Sequence, residues 1–256
     1  MSSVLNFAST PDYLDMLASQ LDSKGVVCIE DAVRPESLAR WQRQLDRLVD
    51  EQGLRYFSLI QPWKETGSAF AEIATDPNFR TLLVGLTERG HQVNAMTSDI
   101  YNVLRVVAGP NGRQKSFMFH YDASVITVLV PLRIPEGAAD EAGDLIAYPN
   151  RRPIRRSSVV NALEKLWYQN PVARHYMSAR INNRKDDRQI YRLKAGNVYL
   201  FWGYRTLHAN LACRPHSLRA TLLFHHGDPH DGSLVTRAIR WSRRIRESRN
   251  LRKEAV

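Results

Sequence analysis

His120 and Asp122 stand two residues apart at the head of the apolar stretch FMFHYDASVITVLVPL (Phe117–Leu132). Alternate side chains of a strand share a face, so this spacing points an imidazole and a carboxylate the same way, with Tyr121 opposite. Such a pair can hold a metal. Alone it is weak evidence: with eight His and fifteen Asp in 256 residues, chance supplies about half an H-x-D match. A second match does occur, at His226 and Asp228, but only His230 follows it as a histidine. That pair reads as an end-of-strand loop near a pocket. The first pair has a distal partner. His208 lies 88 residues after His120, just past the strand-like run NVYLFW. Two histidines and one carboxylate on a β scaffold make the facial set used for non-haem Fe(II), which leaves coordination positions open for other ligands.

Eleven residues beyond His208 comes Arg219, in SLRATLLFHH, with Thr221 on the same face of that run. A guanidinium fork beside a hydroxyl suits the far carboxylate of a dicarboxylic acid whose keto-acid end chelates the metal. The alternatives are ordinary ones: polar residues at strand edges for the triad, and a surface ion pair for Arg219.

Positioning these residues requires a sheet-rich second half. Short β runs broken by turns occupy the chain from residue 100: IYNVLRVVA, a hairpin turn at GPNGRQ, SFMFHYDASVITVLVPL as one strand, and GDLIAYPN. A mixed, helix-containing stretch follows. The strands then resume in QIYRLKAGNVYLFWGYRTLHAN and LRATLLFHHGDP. The first hundred residues read as mainly helical. Ser9 or Thr10 can cap a helix begun by Pro11, with Tyr13, Leu14, Leu17 and Leu21 on one face. GVVCIE is a short strand, RPESLARWQRQLDRLVDEQG an amphipathic helix stopped by Gly53, and a further helix is expected from about Phe70 to Glu88. This pattern predicts a single domain over 1–256, mainly β with flanking helices. Its parts are a helical flank over 1–99, a barrel or sandwich core over 100–232 with a basic insert at 150–194, and a basic C-terminal helix over 233–256.

The net charge of +10 is unevenly distributed. Residues 1–149 carry 13 basic and 19 acidic side chains, whereas the insert at 150–194 carries 12 and 3 and the tail from 233 carries 8 and 2. Such a field would attract an anion, a carrier protein, a phospholipid surface or nucleic acid, or simply keep the chain soluble. No apolar run approaches the length of a membrane span, and the first residues lack a signal-like core, so a cytoplasmic protein is expected. Cys28 and Cys213 make no C-x-x-C pair and are expected to be reduced and buried.

H-Y-D, then GDLIAYPNRR, then GNVYLFWGYRTLH, then Arg219 after ten intervening residues resembles the Fe(II)- and 2-oxoglutarate-dependent dioxygenases, particularly the phytanoyl-CoA dioxygenase family. The helix, GVVCI strand and PESLARWQRQL helix of the first half are similar in style, so the resemblance spans most of the chain. It implies a double-stranded β-helix core of the jelly-roll, cupin-like kind. His120, Asp122 and His208 would bind Fe(II), and Arg219 with Thr221 would bind the side-chain carboxylate of 2-oxoglutarate, with O2 as co-reactant. Asn102 is then the choice for the cosubstrate's iron-side carboxylate. Arg105 and Arg133 are the choices for an anionic substrate, although alternation puts Asn102 and Arg105 on opposite faces. Trp202 and Tyr204 read as core aromatics.

The implied reaction is hydroxylation of an aliphatic C–H of a small, anionic or carrier-bound substrate, or a desaturation or ring closure that begins with the same hydrogen abstraction. Asp122 argues for these over halogenation, in which chloride takes the carboxylate's place. Where relatives carry a P-G-S-H type loop, this chain has YPNRRPIRR and the basic insert, so an acyl-CoA substrate does not carry over. The insert is expected to cover the site. Two rivals stand beside this reading: a cupin-like metal-binding protein or isomerase without 2-oxoglutarate, and a nucleic-acid demethylase. The second ranks low, because Arg214 and Arg219 follow His208 too closely for the arginine pattern of AlkB-type repair enzymes.

Overall fold

The computed structural model describes residues 3–91, 99–109, 116–137, 141–152 and 188–228. The expected helices of the insert and of the C-terminal tail lie outside the described residues, as does most of the GPNGRQ turn. Helix α1 (Pro11–Lys24) starts where Thr10 accepts a hydrogen bond from the Tyr13 N–H, and it buries Leu14, Leu17 and Leu21. Helix α2 (Pro35–Gln52) buries Trp41 and Leu45 and ends at Gly53, whose φ of 78° suits a residue without Cβ. The segment expected as one helix from Phe70 to Glu88 is two, α3 (Ala71–Thr75) and α4 (Pro77–Gly90). The break is local chemistry. Pro77 disfavours helical ψ in the residue before it, Asp76 adopts ψ 122°, and its carboxylate then caps α4 through the Phe79 N–H at 2.8 Å.

Among the described residues nine strands follow in chain order: β1 (Val26–Ile29), β2 (Phe57–Ile60), β3 (Tyr101–Ala108), β4 (Ile126–Arg133), β5 (Leu145–Tyr148), β6 (Gln189–Tyr191), β7 (Val198–Trp202), β8 (Leu207–Asn210) and β9 (Leu218–His226). Strand β2 was not foreseen. The strands form two antiparallel sheets, a six-stranded one in the order β1-β7-β4-β9-β3-β2 and a three-stranded one in the order β6-β5-β8. Leu104, Val106, Val128, Val130, Leu222 and Phe224 of the large sheet share a core with Leu17, Trp41, Phe79 and Leu82 of the helices. Leu129, Tyr199 and Phe201 on its other face pack with Leu145 and Ala147 of the small sheet. Strand β4 is therefore covered on both faces, which explains its nearly unbroken apolar run.

The stretch SFMFHYDASVITVLVPL is not one strand. Its first part runs along β8: the Phe117 N–H donates to the Asn210 carbonyl at 2.9 Å, and His120 forms an isolated bridge with His208. Its second part, β4, belongs to the large sheet. Between them the chain crosses from one sheet to the other, and Asp122 sits at the crossing with its N–H on the Gly203 carbonyl at 2.9 Å. Nor do the runs on either side of GPNGRQ pair as a hairpin, since β3 lies between β2 and β9.

Candidate metal centre

The crossing brings the three expected ligands together. His120 and His208 exchange both backbone N–H···O bonds at 3.0 Å, a hydrogen-bonded antiparallel pair that sends both imidazoles the same way. Their ring centroids lie 4.4 Å apart. His120 Nε2 is 3.6 Å from Asp122 Oδ1, and His208 Nε2 is 3.6 Å from Asp122 Oδ2. One donor atom from each of the three falls within 4.8 Å of the others. Both rings have their other nitrogen tied back: His120 Nδ1 to the Met118 carbonyl at 2.9 Å, and His208 Nδ1 to the Thr206 carbonyl at 3.1 Å. A carbonyl can only accept, so both rings carry the proton on Nδ1 and present a lone pair at Nε2.

At His120 and Asp122 electrostatics favour metal-binding forms. Burial, with His208 close by, pushes the His120 pKa down to about 4, so the ring is neutral at physiological pH. Burial alone would raise the Asp122 carboxyl. The neighbouring His208, His225 and His120, with a hydrogen bond from Thr127, outweigh it and hold the group below the ordinary carboxylate range. Neutral imidazoles and an ionised carboxylate are the forms that bind a metal. Gly203 makes the geometry possible, since a Cβ there would overlap Thr127 Oγ1 and the Asp122 side chain.

The triad forms part of the lining of a cavity of about 500 Å³, mouth included, between the two sheets. Strand β9 turns Arg219, Thr221, Leu223 and His225 toward it, alternating with Ala220, Leu222 and Phe224 in the helix-facing core. Arg219 is 1% exposed and donates from Nη2 to Asn210 Oδ1 at 3.0 Å. Its Nε and Nη1 and the Thr221 hydroxyl are buried with no hydrogen-bond partner among the described residues. Burial lowers the guanidinium pKa to about 10, opposed by Cys213 and reinforced by Arg105. A buried cation and a hydroxyl with donors to spare, aimed into one cavity, suit a carboxylate.

Three expectations need correction. Asn102 does not line the cavity. It pairs across from Phe224, is fully buried on the helix-facing side of β3, and donates from Nδ2 to the Leu223 carbonyl at 3.0 Å. Arg105, opposite Thr221, is the β3 residue that reaches the cavity, because pairing with β9 fixes which parity faces inward. Arg133 lies elsewhere, in an ion pair with Asp46 of α2 at 2.6 Å. Cys28 is exposed, whereas Cys213 is buried, and both are free. Arg214, the rival arginine, pairs with Glu141 at the surface. Trp202 and Tyr204 are buried as expected.

Of the insert, its two ends are described. Arg152 is 6% exposed, stacked 3.7 Å from the Tyr121 ring centroid and 4.7 Å from that of Tyr204, with Nε donating to the Tyr204 carbonyl at 2.9 Å. Its charge is committed there. Sequence reasoning missed Thr127 and gave His225 no role. Thr127 Oγ1 bonds Asp122 Oδ2 at 2.6 Å and His225 Nδ1 at 3.1 Å, whereas His226 turns away to Thr87. The parity of β9 was the available signal, since His225 follows Arg219 and Thr221 on one face.

No protein-family profile matches the chain, and no curated protein matches it. Solved structures do. EctD from S. alaskensis with bound Fe superposes with a TM-score of 0.58 at 15% identity, covering 89% of this chain and 82% of that one. The non-heme alpha ketoglutarate dependent epimerase SnoN from nogalamycin biosynthesis gives 0.53 at 16% identity, over 86% and 84%. The chain has the fold of the Fe/2-oxoglutarate-dependent oxygenases. A prolyl hydroxylase from Trichoplax adhaerens, in complex with a hypoxia inducible factor peptide fragment, gives 0.55 at 14% identity over 87% and 94%. The two facing antiparallel sheets are the double-stranded β-helix of that fold, and His120, Asp122 and His208 form the candidate metal site between them. No described helix is long and apolar enough to cross a membrane.

Proposed function

We propose that this chain is an Fe(II)- and 2-oxoglutarate-dependent oxygenase that hydroxylates an aliphatic C–H bond of a small anionic metabolite. The observation that carries the reading is one cavity holding two different sites: the His120, Asp122 and His208 donor set, and the buried Arg219 and Thr221 with unused donors. The first fits a divalent iron, and the second fits the far carboxylate of a keto diacid chelated to it. Bound Fe(II) supplies the redox chemistry by which O2 and 2-oxoglutarate become succinate and carbon dioxide while one oxygen atom reaches the substrate as a hydroxyl.

The chain's residues do the rest. His120 and His208 offer Nε2 lone pairs in tautomers set by backbone carbonyls, and Asp122 supplies the anionic ligand. Arg219 and Thr221 orient the cosubstrate, while Leu129, Leu145, Phe201 and Leu223 give the cavity apolar walls that exclude water. Charge favours an anionic substrate. Among the described lining residues the charged groups are Arg105, Arg219 and Asp122. With a dication and a dianionic cosubstrate in place the lining side chains would keep a positive balance, and Arg105, which lines the cavity opposite Thr221, is the side chain we assign to a substrate carboxylate or phosphate. SnoN has also been solved with nogalamycin RO, a small molecule, alongside Fe3+ and alpha ketoglutarate.

The test is succinate release. Fe(II)-loaded protein is incubated with labelled 2-oxoglutarate and pools of amino acids, acyl thioesters, small natural products and peptides, and the products are identified. Turnover stimulated by an acidic small molecule supports the reading. Metal binding without any binding of 2-oxoglutarate would overturn it in favour of a cupin-like metal protein or isomerase.

A further inference from the structure

Asp122 is the only carboxylate among the described residues lining the cavity, and one of its oxygens is held from behind. Oδ2 takes a hydrogen bond from Thr127 Oγ1 at 2.6 Å, and it also lies 3.6 Å from His208 Nε2 and 3.7 Å from His225 Nδ1. Oδ1 is 3.6 Å from His120 Nε2. A carboxylate that binds a metal is ionised and has no hydrogen to give, so Thr127 is the donor. A threonine hydroxyl carries one hydrogen. With that hydrogen directed at Asp122, Oγ1 can only accept from its other neighbours, of which His225 Nδ1 at 3.1 Å is the nearer. In the His225 tautomer that carries its proton on Nδ1, the relay runs one way: His225 Nδ1–H donates to Thr127, and Thr127 donates to Asp122. Ser124 Oγ, 3.3 Å from both Thr127 Oγ1 and His225 Nδ1, completes the cluster.

Each member is placed by a different constraint. Thr127 and His225 are direct partners across the β4–β9 ladder, so their contact is built into sheet register. Thr127 is the polar residue within the apolar run of β4, and it faces the cavity side while Ile126 and Val128 join the helix-facing core. A buried threonine at a β4 position where valine would pack as well calls for a polar role.

We propose that Thr127 and His225 are positioning residues that make Asp122 a one-oxygen ligand, holding Oδ2 and leaving Oδ1 to the metal. The proposal rests on the triad reading and deepens it. Without the Thr127 hydroxyl the carboxylate is free to turn about its Cβ–Cγ bond and approach a metal with both oxygens. That would occupy a position which the cosubstrate or O2 requires, and it would lose the ordered geometry on which affinity depends.

The experiment uses Co(II) as a spectroscopic stand-in for iron and compares the full-length wild-type chain with Thr127→Val, Thr127→Ser, His225→Phe and His225→Asn. Affinity is read by titration, ligand number by visible absorption, and apo stability by thermal unfolding. Thr127→Val should bind Co(II) about 10–100-fold more weakly with an altered absorption band, and Thr127→Ser should restore both. His225→Phe should shift both in the same direction by less, with Asn, which keeps a donor, closer to wild type. Affinity and band unchanged in Thr127→Val overturn the proposal while leaving the triad standing. So does a loss that follows apo stability and that Ser does not restore. A wild-type chain that binds no Co(II), or a His208→Ala chain that binds it equally well, overturns the triad and the proposal with it.

Discussion

Replacing Arg219 by Met should weaken cosubstrate binding without lowering the stability of the apo protein. The side chain is 1% exposed, and Nε and Nη1 have no hydrogen-bond partner among the described residues. A charge-assisted hydrogen bond is worth about 1.5–3 kcal/mol, so two of them to a cosubstrate carboxylate amount to about 3–6 kcal/mol. At about 1.4 kcal/mol per decade, that is a loss of roughly 10²–10⁴ in 2-oxoglutarate affinity. The apo protein behaves differently. Burial lowers the guanidinium pKa to about 10, and Arg105 adds repulsion. At neutral pH the group is charged in both folded and unfolded chains, so folding carries the cost of burying that charge, and Met removes it. The thermal midpoint of apo Arg219→Met should therefore not fall. Isothermal titration of 2-oxoglutarate into metal-loaded protein, with thermal unfolding of the apo form, measures both. Arg219→Lys keeps the charge without the fork and should recover only part of the affinity. Binding within threefold of wild type in Arg219→Met, or a larger effect from Arg214→Met, would refute the assignment of this strand face to the cosubstrate.

Asp122→Ala and His208→Ala should each lose stoichiometric Fe(II) under conditions that saturate the wild type, as read by metal analysis after desalting. Arg105→Met should raise the substrate requirement, once a substrate is known, with little change in 2-oxoglutarate affinity, and salt should weaken the wild type toward the variant. Arg152→Met should lower the thermal midpoint. It removes a desolvated guanidinium stacked on Tyr121 and Tyr204, worth about 2 kcal/mol by cation–π attraction, and the bond to the Tyr204 carbonyl; an unchanged midpoint would mean the stack adds nothing.

The candidate metal site was legible because its signals are local in type and distant in position: an H-x-D, a histidine after a strong strand, then an arginine and a threonine of matching parity. Parity carried the β9 assignments because strand alternation depends on nothing remote. It could not decide between Asn102 and Arg105, since which face of β3 looks inward is set by pairing with β9, more than a hundred residues away. The same limit hid Thr127, whose role exists only because register places it opposite His225. The single strand expected from Ser116 to Leu132 failed for a different reason. Apolar periodicity does not mark the point where a chain leaves one sheet for another, and Asp122 sits at that point. The break at Asp76 and Pro77 was written in the sequence as a proline and a capping carboxylate, and helical periodicity on both sides masked it.

That crossing explains why the three ligands are held by different means. His120 and His208 face each other in a hydrogen-bonded backbone pair, and each imidazole is anchored at Nδ1 to a main-chain carbonyl two residues earlier. Their separation is a property of sheet geometry, and side-chain substitutions nearby have little purchase on it. Asp122 stands outside that ladder. Its backbone is fixed by the Gly203 carbonyl, but its carboxylate is oriented by side chains from β4 and β9 and by the space that Gly203 leaves. On our proposal, substitutions that tune a bound metal without unmaking the fold are those at Thr127, His225 and Ser124. Substitutions there should change metal affinity and ligand number at nearly constant stability, whereas changes that disturb the β8 pairing of His208 should reduce stability and metal binding together.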